Sequence, residues 1–429
     1  MTLARGDLAP AIAVAPPGPA SRALARRLAS SEAPGINTVG PDGEAAIAWS
    51  EALGANVLDV DGNLYVDLTS GFGAAAVGHR HPQVVAAVAE QAARLVHGLG
   101  DVHPHPPRVA LAERLVALAP VDDPTVHFAI SGADAVEIAI ETALLATGNA
   151  TLLAFDPAYH GTTLGALAAS SRAEFRRPFA AHLSPRVIRA PFAAPIGEIE
   201  RHLAGSPAPG AVLVEPIVGR EGTILPPDGW LAELARWARR RGALLIADEI
   251  FTGFARTGRR FAVDHDGVRP DLVCCGKALG GGLPIAALVG RRELLARWAT
   301  SGEALHTATF VAHPLACAAA LASLAVLEGE DLAGRARRLE TEVGERLAPL
   351  AARGAVRAVR GRGLLWGIEL VDRAAARALV ARCLARGVLV LSGGPRGDVV
   401  QIAPPLVIDA RQLAEALEIV VAEARDVGA

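Results

Sequence analysis

Lysine is almost missing from this chain: of its 42 lysines and arginines, only Lys277 is a lysine. Tyrosine appears twice, methionine once and cysteine four times in 429 residues. No apolar run reaches the roughly 18 residues of a membrane span, which excludes a helical membrane protein. Ala11-Ile-Ala-Val-Ala15 is too short for the apolar core of a signal peptide and runs into Pro16-Pro17. Cys274, Cys275, Cys317 and Cys383 have neither disulfide nor metal-site spacing, so the expected compartment is a reducing cytoplasm. A net charge of −3 leaves no electrostatic footprint for nucleic acid or another polyanion. The His79/His81 and His103/His105 pairs come without the carboxylates or cysteines that complete a metal site, so they are read as structural and no metal is expected. What is present is 51% hydrophobic and 20% charged, which suits a helix-rich enzyme of two or three domains.

The scarcity of lysine gives the one lysine meaning. Arginine supplies positive charge everywhere else, but it stays protonated and cannot act as an amine nucleophile. A desolvated lysine can lose its proton and form an imine with an aldehyde. Lys277 lies between the apolar run Leu272-Val-Cys-Cys275 and the triple glycine Gly280-Gly-Gly282, where backbone can approach a ligand closely. A composition biased towards arginine also leaves a single lysine by chance, and position alone does not choose between the two.

Residues 1 to about 35, rich in Ala, Pro and Arg, read as a flexible or extended arm. Alternation on both sides of Asp61-Gly62-Asn63 reads as a β-hairpin over residues 55–68. Helices are expected at about 82–98, 107–118, 131–147 and 228–241. Strands are expected at 125–130, 150–155, 211–215 and 243–248. This alternation argues for an α/β fold with a mostly parallel sheet covered on both faces. Beyond residue 315 a helical stretch runs to about 350. Strands follow at 356–371, 388–391 and 399–402, with helices between and after them, as in a smaller α+β domain.

Open α/β sheets bind ligands beyond the carboxyl ends of their strands, and four polar features fall there. Ser131-Gly132-Ala133 opens a helix whose free N–H groups can hold a phosphate, or it is an ordinary cap. Tyr159 offers a ring that either stacks on a flat heterocycle or packs. Asp248 ends an apolar strand, where a carboxylate needs a partner such as a protonated ring nitrogen, unless it caps a helix. Lys277 supplies the amine. The ordered set describes pyridoxal phosphate: phosphate at a helix start, ring stacked, nitrogen paired, aldehyde on lysine.

Beyond residue 35 the chain resembles the class III aminotransferases, pyridoxal-phosphate enzymes of fold type I. The motifs appear in order: Val57 to Asp67, Gly78-His-Arg-His-Pro82, Ser131-Gly-Ala-Asp-Ala-Val-Glu137, Tyr159-His160-Gly161, Glu215-Pro216, Asp248-Glu-Ile-Phe-Thr-Gly-Phe-Ala-Arg-Thr-Gly258, the lysine loop, and Pro314-Leu-Ala-Cys-Ala-Ala-Ala320. The resemblance implies a central sheet of the seven-stranded type in a large domain over 73–315. A smaller α+β domain would be built from both termini, over 36–72 and 316–429, behind the arm at 1–35. It implies that Lys277 carries an aldimine of pyridoxal 5'-phosphate and that Asp248 pairs with its ring nitrogen. Ser131, Gly132 and Ala133 would hold the phosphate, Tyr159 and Ile250 would flank the ring, and His160 and Glu215 would complete the cofactor site. Thr309 would reach the phosphate of the partner subunit, so the active site would need a homodimer. The implied reaction is ping-pong transfer of an amino group from an amino-acid donor to an aldehyde or keto acceptor. Racemisation, aminomutation and inert cofactor binding are the alternatives.

Two departures from the family pattern occur together. Arg220 stands where many members have the glutamate of Glu-Pro-x-Gln-Gly-Glu, and Gln401 stands where they have an arginine. The expectation is that Arg220 binds a substrate carboxylate through its planar fork, with Gln401 removing a competitor. The alternative is an exposed Arg220 paired with Glu221. Phe251 replaces a glutamine of some members, and Val311-Ala312-His313 replaces a common Gly-Gly-Asn.

Overall fold

A computed structural model describes residues 3–35, 47–299, 302–352 and 354–427. The expected boundary near residue 36 lies outside these residues. Among the described residues, fifteen strands form three sheets. The first three are β1 (Trp49–Leu53), β2 (Asn56–Asp59) and β3 (Leu64–Asp67), with β2 and β3 forming the antiparallel hairpin read from the alternating pattern.

Seven strands follow: β4 (Pro124–Ala129), β5 (Leu152–Asp156), β6 (Val187–Pro191), β7 (Ala211–Val214), β8 (Leu244–Asp248), β9 (Leu272–Cys275) and β10 (Ala286–Arg291). They form one sheet in the order β4-β10-β9-β8-β7-β5-β6. Only β10 runs against the others. The inner strands are apolar on both faces because helices cover both faces. Leu153, Phe155, Val212, Val214, Leu245 and Ala247 enter one core, while Leu152, Ala154, Ala211, Leu213 and Ile246 enter the other. This period-two split is the strand's own pleat.

The last strands are β11 (Val356–Arg362), β12 (Leu365–Leu370), β13 (Val388–Leu389), β14 (Leu391–Gly393) and β15 (Val399–Ile402). The stretch 356–371, expected as one strand, is a hairpin that turns at Gly363. β13 pairs in parallel with β3, so the two ends of the chain share a sheet. The segment before residue 35 is more ordered than an arm. Ala11 bridges to Leu64, Asn63 receives the Ala13 and Val14 N–H groups, and Pro19–Ala29 forms a helix. That helix was hidden because it buries little, chiefly Ser21 and Ala25. His81 and His105 are helix N-caps, accepting from Gln83 N and Arg108 N. His79 bonds Asp67 at 2.8 Å.

Candidate active site

The parallel strands deliver their polar ends to one edge of the sheet. Ser131 follows β4, Tyr159 and His160 follow β5, Glu215 follows β7, Asp248 ends β8, and Lys277 follows β9. The geometry thus gathers residues separated by 146 positions between Ser131 and Lys277 at the place where open α/β sheets bind ligands.

Lys277 opens a short 3-10 turn with φ at +44°, a conformation that L residues rarely adopt. Its Nζ lies 4.2 Å from the centre of the Phe251 ring, and the amine has no hydrogen bond or ion pair among the described residues. Phe251 is wedged between glycines: a Cβ on Gly219 would come within 2.3 Å of it and one on Gly73 within 2.6 Å. Gly73, at φ +84°, is also positioned where only glycine is comfortable. Burial pushes the Lys277 amine down to about 8, against the pull of Asp248 and Glu215 and with help from Arg220 and Arg256.

Asp248 is buried. Its Oδ2 lies 2.7 Å from His160 Nδ1, and its Oδ1 accepts from Ile250 N at 3.1 Å. His160 is buried too, and its Nε2 has no partner. The His160 backbone is fixed by Ser170, whose Oγ accepts from His160 N at 2.9 Å. Glu215 fastens two loops, accepting from Tyr159 N at 2.8 Å and from Gly219 N at 2.9 Å. Burial raises its carboxyl to about 7, with His160 opposing and Asp248 adding to the rise.

The helix Gly132–Thr147 starts at this edge. Ser131 caps it by accepting from Asp134 N at 3.2 Å, so the cap reading of that hydroxyl holds. The Gly132 and Ala133 N–H groups still have no acceptor inside the helix. A Cβ on Gly132 would come within 3.0 Å of the Ile250 side chain, which sets Ile250 against this turn. These features fit pyridoxal phosphate: an unpaired amine for a carbonyl, a buried carboxylate for a ring nitrogen, and free N–H groups for an anion. Thr309 lies elsewhere, on an exposed loop whose backbone approaches Gly100. His306 ties that loop to the helix Gly132–Thr147, reaching Asp134 at 2.8 Å and Glu141 at 2.6 Å.

Arg220 is half-buried and does not pair with Glu221, which corrects that alternative. Glu221 is fully buried and bound by Arg172, whose Nη2 and Nε lie 3.0 and 3.2 Å from Oε2. Arg220 instead lies 4.5 Å above the Tyr159 ring and 5.1 Å from that of Phe175. Gln401, on β15, donates to Gly219 O at 2.6 Å and Thr223 Oγ1 at 3.2 Å. Sequence reasoning missed Arg172, Phe175 and Ser170. Nothing local marks Arg172 among so many arginines, and its role exists only once β7 and β5 are neighbours.

Comparison with known proteins agrees with this geometry. The family model described as Aminotransferase class-III matches residues 39–423. The chain is 36% identical over 439 aligned residues to the 4-aminobutyrate aminotransferase of Mycobacterium tuberculosis, covering 95% of this chain and 96% of that protein. It is 41% identical over 361 residues to the acetylornithine aminotransferase of the same organism, covering 81% and 84%. Among solved structures, the ornithine aminotransferase of Toxoplasma gondii superposes with a TM-score of 0.83 at 32% identity, covering 89% of this chain and 91% of that one. An (S)-enantioselective omega-transaminase from Thermomicrobium roseum reaches 0.88 at 28% identity, covering 95% and 99%. With its mostly parallel sheet and the lysine at the strand ends, this chain belongs to the class III aminotransferase family and is a transaminase.

Proposed function

We propose that the enzyme moves an amino group from an amino-acid donor to an aldehyde or keto acceptor in two half-reactions, with pyridoxal 5'-phosphate held by Lys277. The observation that carries this reading is the unpaired Lys277 amine, pushed towards neutrality beside the Asp248–His160 pair. When bound, the cofactor supplies an electron sink for the substrate Cα–H bond. Asp248, oriented by His160, keeps the ring nitrogen protonated. Gly132 and Ala133 would donate N–H groups to the phosphate beside the Ser131 cap, and Tyr159 and Ile250 would flank the ring. Glu215 holds the Tyr159 and Gly219 backbones in place. The Lys277 amine would take the proton from the substrate Cα and pass it on instead of returning it to Cα, which would give racemisation.

The reading includes a homodimer in which Thr309 serves the partner's phosphate. Leu99, Val102, Leu305 and Phe310, each more than half exposed, offer an apolar surface for that contact. We also divide the chain into a large domain over 73–315 and a small one drawn from 36–72 and 316–429, consistent with the β3–β13 pairing. The four free, buried thiols favour the cytoplasm, and no described helix is long and apolar enough to cross a membrane.

The test is direct. Purified protein loaded with pyridoxal phosphate is reduced with borohydride, and the label is expected on Lys277. Glutamate, alanine, ornithine, 4-aminobutyrate and acetylornithine are then screened as donors for keto-acid or aldehyde release. Lys277→Arg is expected to fold, keep its charge and lose turnover; near-normal turnover would sink the reading.

A further inference from the structure

We propose that Arg220 is the carboxylate receptor of this active site, so that at least one substrate bears a carboxylate held by its guanidinium. The inference rests on the transaminase reading above and adds the residue that recognises the substrate's carboxylate.

Arg220 has donors to spare. Its guanidinium carries five N–H groups, yet among the described residues it makes no side-chain hydrogen bond and no ion pair. The nearest carboxylate in sequence is committed, because Glu221 is buried and bound by Arg172. What holds Arg220 is aromatic. Arg172 and Arg220 lie 5.0 and 5.1 Å from the Phe175 ring, and Arg220 continues to Tyr159 at 4.5 Å. One arginine of this ladder is neutralised and the other is not. Stacking engages the flat face of a guanidinium and leaves its in-plane donors open, which is the geometry for bidentate binding of a carboxylate.

Position agrees with that role. Gly219, next to Arg220, abuts the Phe251 ring that carries the Lys277 amine at 4.2 Å. Gln401 pins this turn through Gly219 O and Thr223 Oγ1 and brings no charge of its own. An arginine at 401 would offer a second receptor; a glutamate at 220 would repel the carboxylate. Here the cation is on the turn and the neutral amide on the strand. Tyr159 lies beneath Arg220, and Arg220 is near enough to Lys277 for its charge to help lower that amine's pKa.

The experiment compares donors with the amines that lack only their carboxylate: 4-aminobutyrate with propylamine, and alanine with ethylamine. In Arg220→Ala the ratio of kcat/KM for acid over amine is expected to fall roughly 10- to 100-fold, the worth of a hydrogen-bonded charge. Arg220→Lys keeps charge without the fork, and an intermediate fall is expected. Calorimetric titration of the cofactor-loaded enzyme with glutarate gives a readout free of turnover, with binding expected in the wild type and lost in Arg220→Ala. Equal losses for acid and amine, or unchanged glutarate binding, would overturn the proposal and leave Arg220 as a stacking residue. Absence of product from every donor in the wild type would overturn the parent reading instead, while glutarate binding that depends on Arg220 would still support the receptor.

Discussion

At the scale of single residues, two groups titrate far from their ordinary values. The Lys277 amine is held near 8 in place of its ordinary 10.5, so its neutral, nucleophilic form grows as pH rises through about 8. In cofactor-free protein, the rate of reductive labelling of Lys277 by pyridoxal is therefore expected to rise through that pH and level above it. Asp248 pulls the value up and Arg220 pushes it down. Asp248→Asn should shift the midpoint lower and Arg220→Ala should shift it higher. In the loaded enzyme, on the proposed reading, Asp248→Asn would also remove the charge that keeps the ring nitrogen protonated, and kcat is expected to fall by about 10²-fold or more. Glu249 shows the opposite sign. Burial raises its carboxyl to about 7 from 4.5, despite hydrogen bonds from Thr252 and Val263 N. The folded state then binds a proton that the unfolded state has already lost. Its contribution is full below the unfolded value of 4.5 and disappears as pH climbs through about 7. Glu249→Gln should flatten the fall in Tm between these pH values; an unchanged slope would remove this account.

At the scale of elements, the site depends on where strands end and on what lies beside them. Apolar runs located β5, β7 and β8 because each is buried on both faces and flanked by helical periodicity. β6 escaped because it is a half-exposed edge strand, and β9 and β10 were not separated from the glycine-rich lysine loop. Ser131, Tyr159, Asp248 and Lys277 were all legible, since each follows or ends an apolar strand. The packing of the first turn was not. Gly161 has φ +128°, and a Cβ there would lie 2.5 Å from Ala133 Cβ. Gly161→Val is expected to cost about 2 kcal/mol or more and to weaken cofactor retention, measured by denaturant midpoint and by dialysis. The loop bearing Thr309 is tied by His306 to Asp134 and Glu141. Burial opposes its protonation, but the two carboxylates win and raise its pKa. That tie is strongest below the ordinary histidine pKa of 6.5 and is lost as pH rises through the raised value. Limited proteolysis of residues 302–310 should accelerate across that rise in wild type and be fast throughout in His306→Ala.

At the scale of the whole molecule, one buried cation joins distant parts of the chain. Arg256 is fully buried and donates to Leu364 O at 3.1 Å, Pro404 O at 2.6 Å and Ser70 Oγ at 3.1 Å. It links a loop after β8 to the turn before β12, to the segment after β15 and to the turn after β3. Burial pushes its pKa down to about 10, with the charge of Asp67 opposing the fall. Arg256→Met would leave these acceptors unpaired, and a loss of about 3 kcal/mol is expected in equilibrium unfolding.

Some of this protein was determined by the sequence alone. A lone lysine, an aspartate ending an apolar strand and a Ser-Gly-Ala helix start are local signals, and periodicity carries the α/β layering because burial on one face or two repeats along the chain. Tertiary structure decided the rest. Glu221 was equally placed for Arg220 by sequence, and only the approach of Arg172 took it away and left a stacked, unpaired guanidinium. That outcome depends on residues about 50 positions apart meeting across neighbouring strands, which no local pattern encodes.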